Sequence, residues 1–342
     1  MRLKHEIKIT LFKLVVALVG AFGFAYAAAA ESQNLLNVSY DPTRELWKEL
    51  NAAFIPEYKA KAATDLSIKM SHGGSGSQAR AVTDGLEADV VTIAIPSDTD
   101  AIVKAGLIDK NWRERLPNNA SAYNSTIVFV VRKGNPKGIK DWGDLVKGDV
   151  QIVTPNPKTS GGARWNYLAA WAWANKEFGG DQDKVKAYIA DLYKRAPVLD
   201  SGARGSLTSF AQREIGDVLL AWENEAYLAQ GEFADAGFEI VTPSLSILAQ
   251  PSISVVDGNV DAKGTRKAAE AYLNYLYTEE GQTIAAKNHY RPVEPKLVKD
   301  YKPLPELNLV TIDDPLFGGW KKAQPEHFGD GGVFDQLYKP AQ

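Results

Sequence analysis

Three short segments hold residues whose types and spacing could do chemistry. They are Ser71-His72-Gly73-Gly74-Ser75-Gly76-Ser77, Asn156-Pro157-Lys158-Thr159-Ser160-Gly161-Gly162 and Asp200-Ser201-Gly202-Ala203-Arg204-Gly205-Ser206. Each follows an apolar, β-favouring run and precedes a run of helical period, so each places glycine and serine at a helix start. A helix N-terminus leaves its first N–H groups unpaired and carries about half a positive charge; glycine lets the main chain approach a ligand and serine adds a hydroxyl donor. Three such ends converging supply on the order of +1.5 charge without a cationic side chain. A fourth turn, Tyr40-Asp41-Pro42-Thr43-Arg44, reads as a helix start with Asp41 as cap, Pro42 at the first position and the Asp41 N–H free. Trp222, where a strand gives way to a helix, offers an indole N–H as one more neutral donor. Taken singly, each Gly/Ser turn also reads as a plain cap and Trp222 as a core residue. It is their number in one chain that points to an anion.

Other chemistries fit these residues poorly. Gly74-Ser75-Gly76-Ser77-Gln78-Ala79 satisfies a loose G-x-G-x-x-A dinucleotide pattern, but it follows the second strand rather than the first and lacks a clearly placed acidic partner. Gly73-Gly74-Ser75-Gly76-Ser77 misses the G-x-S-x-G nucleophile elbow at its last residue, and only His72 and His289 stand as bases for a hydrolase using Ser75 or Ser160. The histidines are too scattered for a metal motif. With no cysteine in 342 residues, a disulfide scaffold, a thiolate nucleophile and a cysteine zinc site are all excluded. No cofactor is expected and no enzymatic activity is read.

The elements that must position these turns are those of an α/β protein. Expected strands are 35–38, 66–70, 90–93, 126–131, 150–153, 218–221, 238–241 and 253–256. Val185, Tyr188, Ile189 and Leu192 recur at the spacing of one helix face, as do Ala269, Tyr272, Leu273 and Leu276. The stretches 126–131 and 244–256 read as crossings between two lobes. On that reading 31–124 with 252–342 form the first lobe plus a C-terminal tail, and 125–251 form the second. Ahead of them, Arg2, Lys4, Lys8 and Lys13 precede an apolar run ending in Ala-Tyr-Ala-Ala-Ala-Ala, the pattern of a signal peptide over 1–30. The whole chain carries 39 Lys and Arg against 42 Asp and Glu. Without its first thirty residues it is mildly acidic, and it has no basic block, so nucleic acid is not an expected partner.

The string Asn156-Pro157-Lys158-Thr159-Ser160-Gly161-Gly162-Ala163-Arg164 resembles the signature of the prokaryotic sulfate-binding protein family. The strings 37–44, 71–76, 200–206, 221–226 and Phe317-Gly318-Gly319-Trp320 are similar to that family in the same order, over essentially the whole mature chain. The resemblance implies a periplasmic receptor, working as a monomer, with two α/β lobes of type II topology and the ligand in the cleft between them. It implies that sulfate, or thiosulfate as in related receptors, is delivered to the membrane permease of an ABC importer. Carried over residue by residue, the contacts fall on the N–H of Asp41, on Ser75, on the Ser160 hydroxyl, on the N–H groups of Gly161, Gly162 and Ala203, and on the Trp222 indole. Arg164 and Arg204 are implied as braces behind those turns.

Overall fold

The computed structural model describes residues 31–338, so the predicted signal peptide lies outside the described residues. Among the described residues the chain builds two main sheets, with two further two-stranded pairings. In the first, β1 (Glu31–Tyr40) pairs in parallel with β2 (Thr64–Gly73) on one side and β3 (Val90–Ile93) on the other. α1 (Arg44–Ala62), α2 (Ser75–Thr83) and α3 (Pro96–Lys104) follow these strands in turn. The second sheet is assembled from β4 (Ile127–Val131), β5 (Ile152–Pro155), β6 (Leu199–Asp200), β7 (Val218–Trp222) and β8 (Glu239–Val241), in the order β6-β5-β7-β4-β8. α4 (Gly161–Glu177), α5 (Gln182–Lys194), α6 (Ala203–Ala211) and α7 (Glu223–Glu232) surround it. The chain then returns to the first sheet, where β9 (Ser252–Val255) adds antiparallel to β3 and is followed by α8 (Arg266–Tyr275).

All eight expected strands form, with ends shifted by at most a few residues; β3, β4, β5, β7 and β9 are runs buried on both faces, whereas β2 and β8 keep partly exposed residues. Val128, Phe129, Val130 and Val131 are all buried in β4, as are the four residues of β3. Both expected helix stripes face the core. Val185, Tyr188, Ile189 and Leu192 on α5, and Ala269, Tyr272 and Leu273 on α8, are buried, as is Leu276 just beyond it. Each large aliphatic side chain so placed contributes about 1.5–3 kcal/mol. Each sheet has its own core. Val38, Trp47, Phe54, Val91 and Tyr272 belong to one; Phe129, Trp142, Tyr167 and Ile189 belong to another.

The stretches at 126–131 and 244–256, expected as crossings, meet at Ser125 and Ala249, which exchange N–H to carbonyl bonds of 2.9 Å each way. A third passage follows. Arg291–Pro292 pairs with Tyr123–Asn124 beside the first sheet, whereas Leu309–Val310 pairs with Ser246–Ile247 beside the second. The tail beyond it, grouped with the first lobe in the sequence reading, packs on the second. Phe317, Trp320, Phe328 and Phe334 share a core with Tyr167 and Trp165, and Lys158 reaches Asp335 at 2.8 Å. The reason is that this aromatic cluster complements the apolar flank of α4, a pairing between positions about 150 residues apart that no local pattern announces.

Candidate functional site

Every turn singled out above sits at the carboxyl end of a strand, where open parallel sheets hold ligands. In the first sheet Tyr40 lies opposite Gly73, which sets Asp41 beside Gly74. In the second, Pro155 lies opposite Asp200 and Val153 opposite Leu219, which brings the turns of 156–160, 201–202 and Trp222 to one rim. The two rims face each other. Between them is a small cavity of about 10 Å³ lined by Tyr40, Asp41, Pro42, Gly73, Gly74, Ser75, Ser160, Gly162, Ala203 and Trp222. Drug-sized ligands take pockets of about 300–1,000 Å³, so this one suits a small ion. Asp41, Ser75, Ser160, Gly162, Ala203 and Trp222, expected from the sequence, meet here. Gly161 stands in the same turn, with no room for a side chain: an added Cβ falls 2.7 Å from Ala94 Cβ and 3.0 Å from Ser75 Cβ.

The donors facing the cavity are neutral. Ser160 caps α4, its hydroxyl oxygen accepting from the Ala163 N–H at 3.3 Å, which leaves its own hydrogen to donate. The N–H groups of Gly161 and Gly162 precede the first intrahelical bond of α4, as that of Ala203 does in α6. Trp222 is 1% exposed, and its indole N–H has no partner among the described residues. Leaving such a donor unpaired in a buried site costs about 1–3 kcal/mol, which an acceptor in the cavity removes. The indole passes directly over Gly162, where an added Cβ falls 2.4 Å from its nitrogen. The Asp41-Pro42 turn is pinned through the Pro42 carbonyl, which accepts from Tyr290 at 2.9 Å and Asn224 at 3.3 Å.

Ser75 behaves differently from its sequence neighbours. Its hydroxyl donates to Asp98 at 2.6 Å and accepts from the Ala94 N–H at 3.1 Å, so the group left for a ligand is its N–H. The Gly76 and Ser77 N–H groups of the same helix start are both taken by the Thr159 carbonyl from the opposite rim, at 3.1 and 3.3 Å. Gly74 permits that approach: a Cβ there falls 2.4 Å from the Ser201 carbonyl oxygen and 2.6 Å from that of Thr159.

The nearby arginines stand behind the cavity rather than in its wall. Arg164 bonds the Pro157 carbonyl and Asp98, each at 2.8 Å, and Arg204 lies 3.0 Å from Glu45, 3.2 Å from Glu225 and 3.3 Å from Glu232. Neither arginine lines the cavity. Asp41 ties to Arg44 at 3.1 Å; burial lifts its pKa, against the pull of Arg44 and Arg204. Burial likewise raises Glu225 to about 7, with Arg204 opposing, and together with the Arg44 charge it lowers His72 to about 4, so that His72 brings no positive charge to the site at neutral pH. Asp98, Thr159 and Ala94 were not anticipated from the sequence. A threonine just before the Ser160 cap and an aspartate in the first turn of a helix are local features, but nothing local marks them as partners across a cleft.

The profile of the bacterial extracellular solute-binding protein family matches residues 39–291. The chain is 57% identical over 316 residues to the sulfate-binding protein of Escherichia coli K12, covering 92% of this chain and 96% of that one. It is 49% identical over 331 residues to the thiosulfate-binding protein of Pseudomonas aeruginosa, covering 96% and 99%. Among solved structures, the sulfate-binding protein of Mycobacterium tuberculosis H37Rv superposes with a TM-score of 0.76 at 32% identity, covering 86% of this chain and 99% of that one.

Proposed function

We propose that this chain, which belongs to the bacterial extracellular solute-binding proteins and within them to the prokaryotic sulfate-binding family, captures sulfate between its lobes in the periplasm and delivers it to the membrane permease of an ABC importer. The observation that carries this reading is a small cavity lined by N–H, hydroxyl and indole donors with no lysine or arginine among its walls. In it the N–H groups of Asp41, Ser75, Gly161, Gly162 and Ala203, the Ser160 hydroxyl and the Trp222 indole hold the ion. Arg164 and Arg204 brace the turns from behind. One lobe is 31–124 with 252–308, and the other is 125–251 with 309–338. The protein works as a monomer.

Selectivity follows from matching donors to acceptors. Sulfate at neutral pH carries no proton and is satisfied by donors alone, whereas monohydrogen phosphate brings a hydrogen that needs an acceptor. A site built around hydrogen bonds rejects a mismatched ligand by as much as about 10⁴–10⁵, a ceiling that rotation of the Ser160 hydroxyl lowers. Calorimetric titration of the mature protein with sulfate, first without and then with excess phosphate, tests this. Tight binding that phosphate leaves intact is expected; absent binding, or equal competition, overturns it. Thiosulfate is the second reading, supported by the thiosulfate-binding relative at 49% identity, and the same titration run with thiosulfate ranks the two ions.

A further inference from the structure

One motif of the sequence, Phe317-Gly318-Gly319-Trp320, has no part in the anion site. Its glycines take φ of 64° and 81°, left-handed values that turn the tail so that Trp320 packs edge-on against Trp165 at 4.9 Å and 78°. Trp165 is fully buried in the first turns of α4, the helix whose start carries Gly161 and Gly162. Its indole N–H does not serve its own lobe. It donates at 3.0 Å to the carbonyl of Ala94, at the end of β3 in the other lobe. The same Ala94 gives its N–H to the Ser75 hydroxyl. This buried hydrogen bond, beside the Arg164–Asp98 pair and the Gly76 and Ser77 bonds to the Thr159 carbonyl, joins the helix start on one side of the cavity to the strand end that positions Ser75 on the other.

We propose that Trp165, buttressed by Trp320, is a positioning residue that sets how long the lobes stay closed over the bound ion. The inference rests on the reading of the chain as a sulfate receptor. The bond exists only while the lobes are apposed. With phenylalanine at 165, the closed state keeps the Ala94 carbonyl buried without a donor, whereas in the open state water satisfies it. A group that differs between two states shifts their balance, and an unpaired buried carbonyl shifts it on the order of tenfold. Capture begins from the open state, where the bond is absent, so the effect falls on release.

The test is a chase of radiolabelled sulfate from the mature full chain, with association rates and ligand-free melting temperatures measured alongside. Trp165→Phe is expected to release sulfate about tenfold faster, with association unchanged and any fall in ligand-free melting, from the smaller ring in the core, leaving the association rate where it was. Trp320→Ala speeds release by a smaller factor. Trp320→Phe leaves it unchanged, because the buttress is the ring and the Trp320 indole N–H has no partner among the described residues. Unchanged release in Trp165→Phe, or a fall in ligand-free melting that moves both rates, overturns the proposal. Should Trp165→Phe fail to fold, equal release from the two Trp320 variants overturns it instead. Wild-type protein that binds no sulfate removes the receptor reading and this inference with it.

Discussion

The helix starts of α2 and α4 are near-twins in sequence, Gly74-Ser75-Gly76-Ser77 and Ser160-Gly161-Gly162, yet they use their donors in opposite ways. α2 gives two N–H groups to the Thr159 carbonyl of the facing lobe and its serine hydroxyl to Asp98. α4 keeps the N–H groups of both glycines and the hydroxyl hydrogen of its cap for the cavity. On the proposed reading, the first start serves closure and the second serves the ligand. A helix N-terminus is an anion site only to the extent that the rest of the fold leaves its donors unspent.

This contrast can be broken by substitution. The largest effect is expected from Gly162→Ala, because the added methyl collides with the Trp222 indole nitrogen at 2.4 Å and displaces two donors together; calorimetry should show sulfate affinity reduced by about 100-fold or more, the upper range for forced overpacking. Trp222→Phe follows, weakening binding by roughly 1.5–3 kcal/mol, as for a hydrogen bond to a charged group, with the fold intact by circular dichroism. Gly74→Ala acts on closure: its methyl meets two carbonyl oxygens across the cleft, so affinity falls by about 2 kcal/mol while the ligand-free melting temperature stays put. The serines give the smallest and sharpest separation. Ser160→Ala removes a ligand donor and costs about 1.5 kcal/mol of binding. Ser75→Ala leaves Ala94 and Asp98 short of a partner within one lobe, so thermal melting drops while affinity changes little. Equal losses of affinity in the two serine variants would erase the distinction between the helix starts.

How far the sequence carries depends on the range of the interactions. The strands and the turns that end them are local features, written in apolar runs, glycines and caps, and the positions of Asp41, Ser75, Ser160, Gly162, Ala203 and Trp222 around one cavity follow from sheet register. Which donors remain free does not. That is fixed by contacts such as Arg164 to Asp98, 66 residues apart, and Trp165 to Ala94, 71 apart. The docking of the tail on the second lobe is of the same kind, with Tyr167 and His327 meeting at 3.1 Å across 160 residues. Residue types there are unremarkable, and only the folded arrangement of the lobes gives them partners.

A dianion held by neutral donors, with no lysine or arginine in the cavity wall, is the claim on which the function rests. The crystal structure of the sulfate-loaded protein tests it most directly. The expected result is a sulfate whose oxygens meet only main-chain N–H groups of Asp41, Ser75, Gly161, Gly162 and Ala203, the Ser160 hydroxyl and the Trp222 indole. A lysine or arginine nitrogen bonded directly to a sulfate oxygen would contradict it.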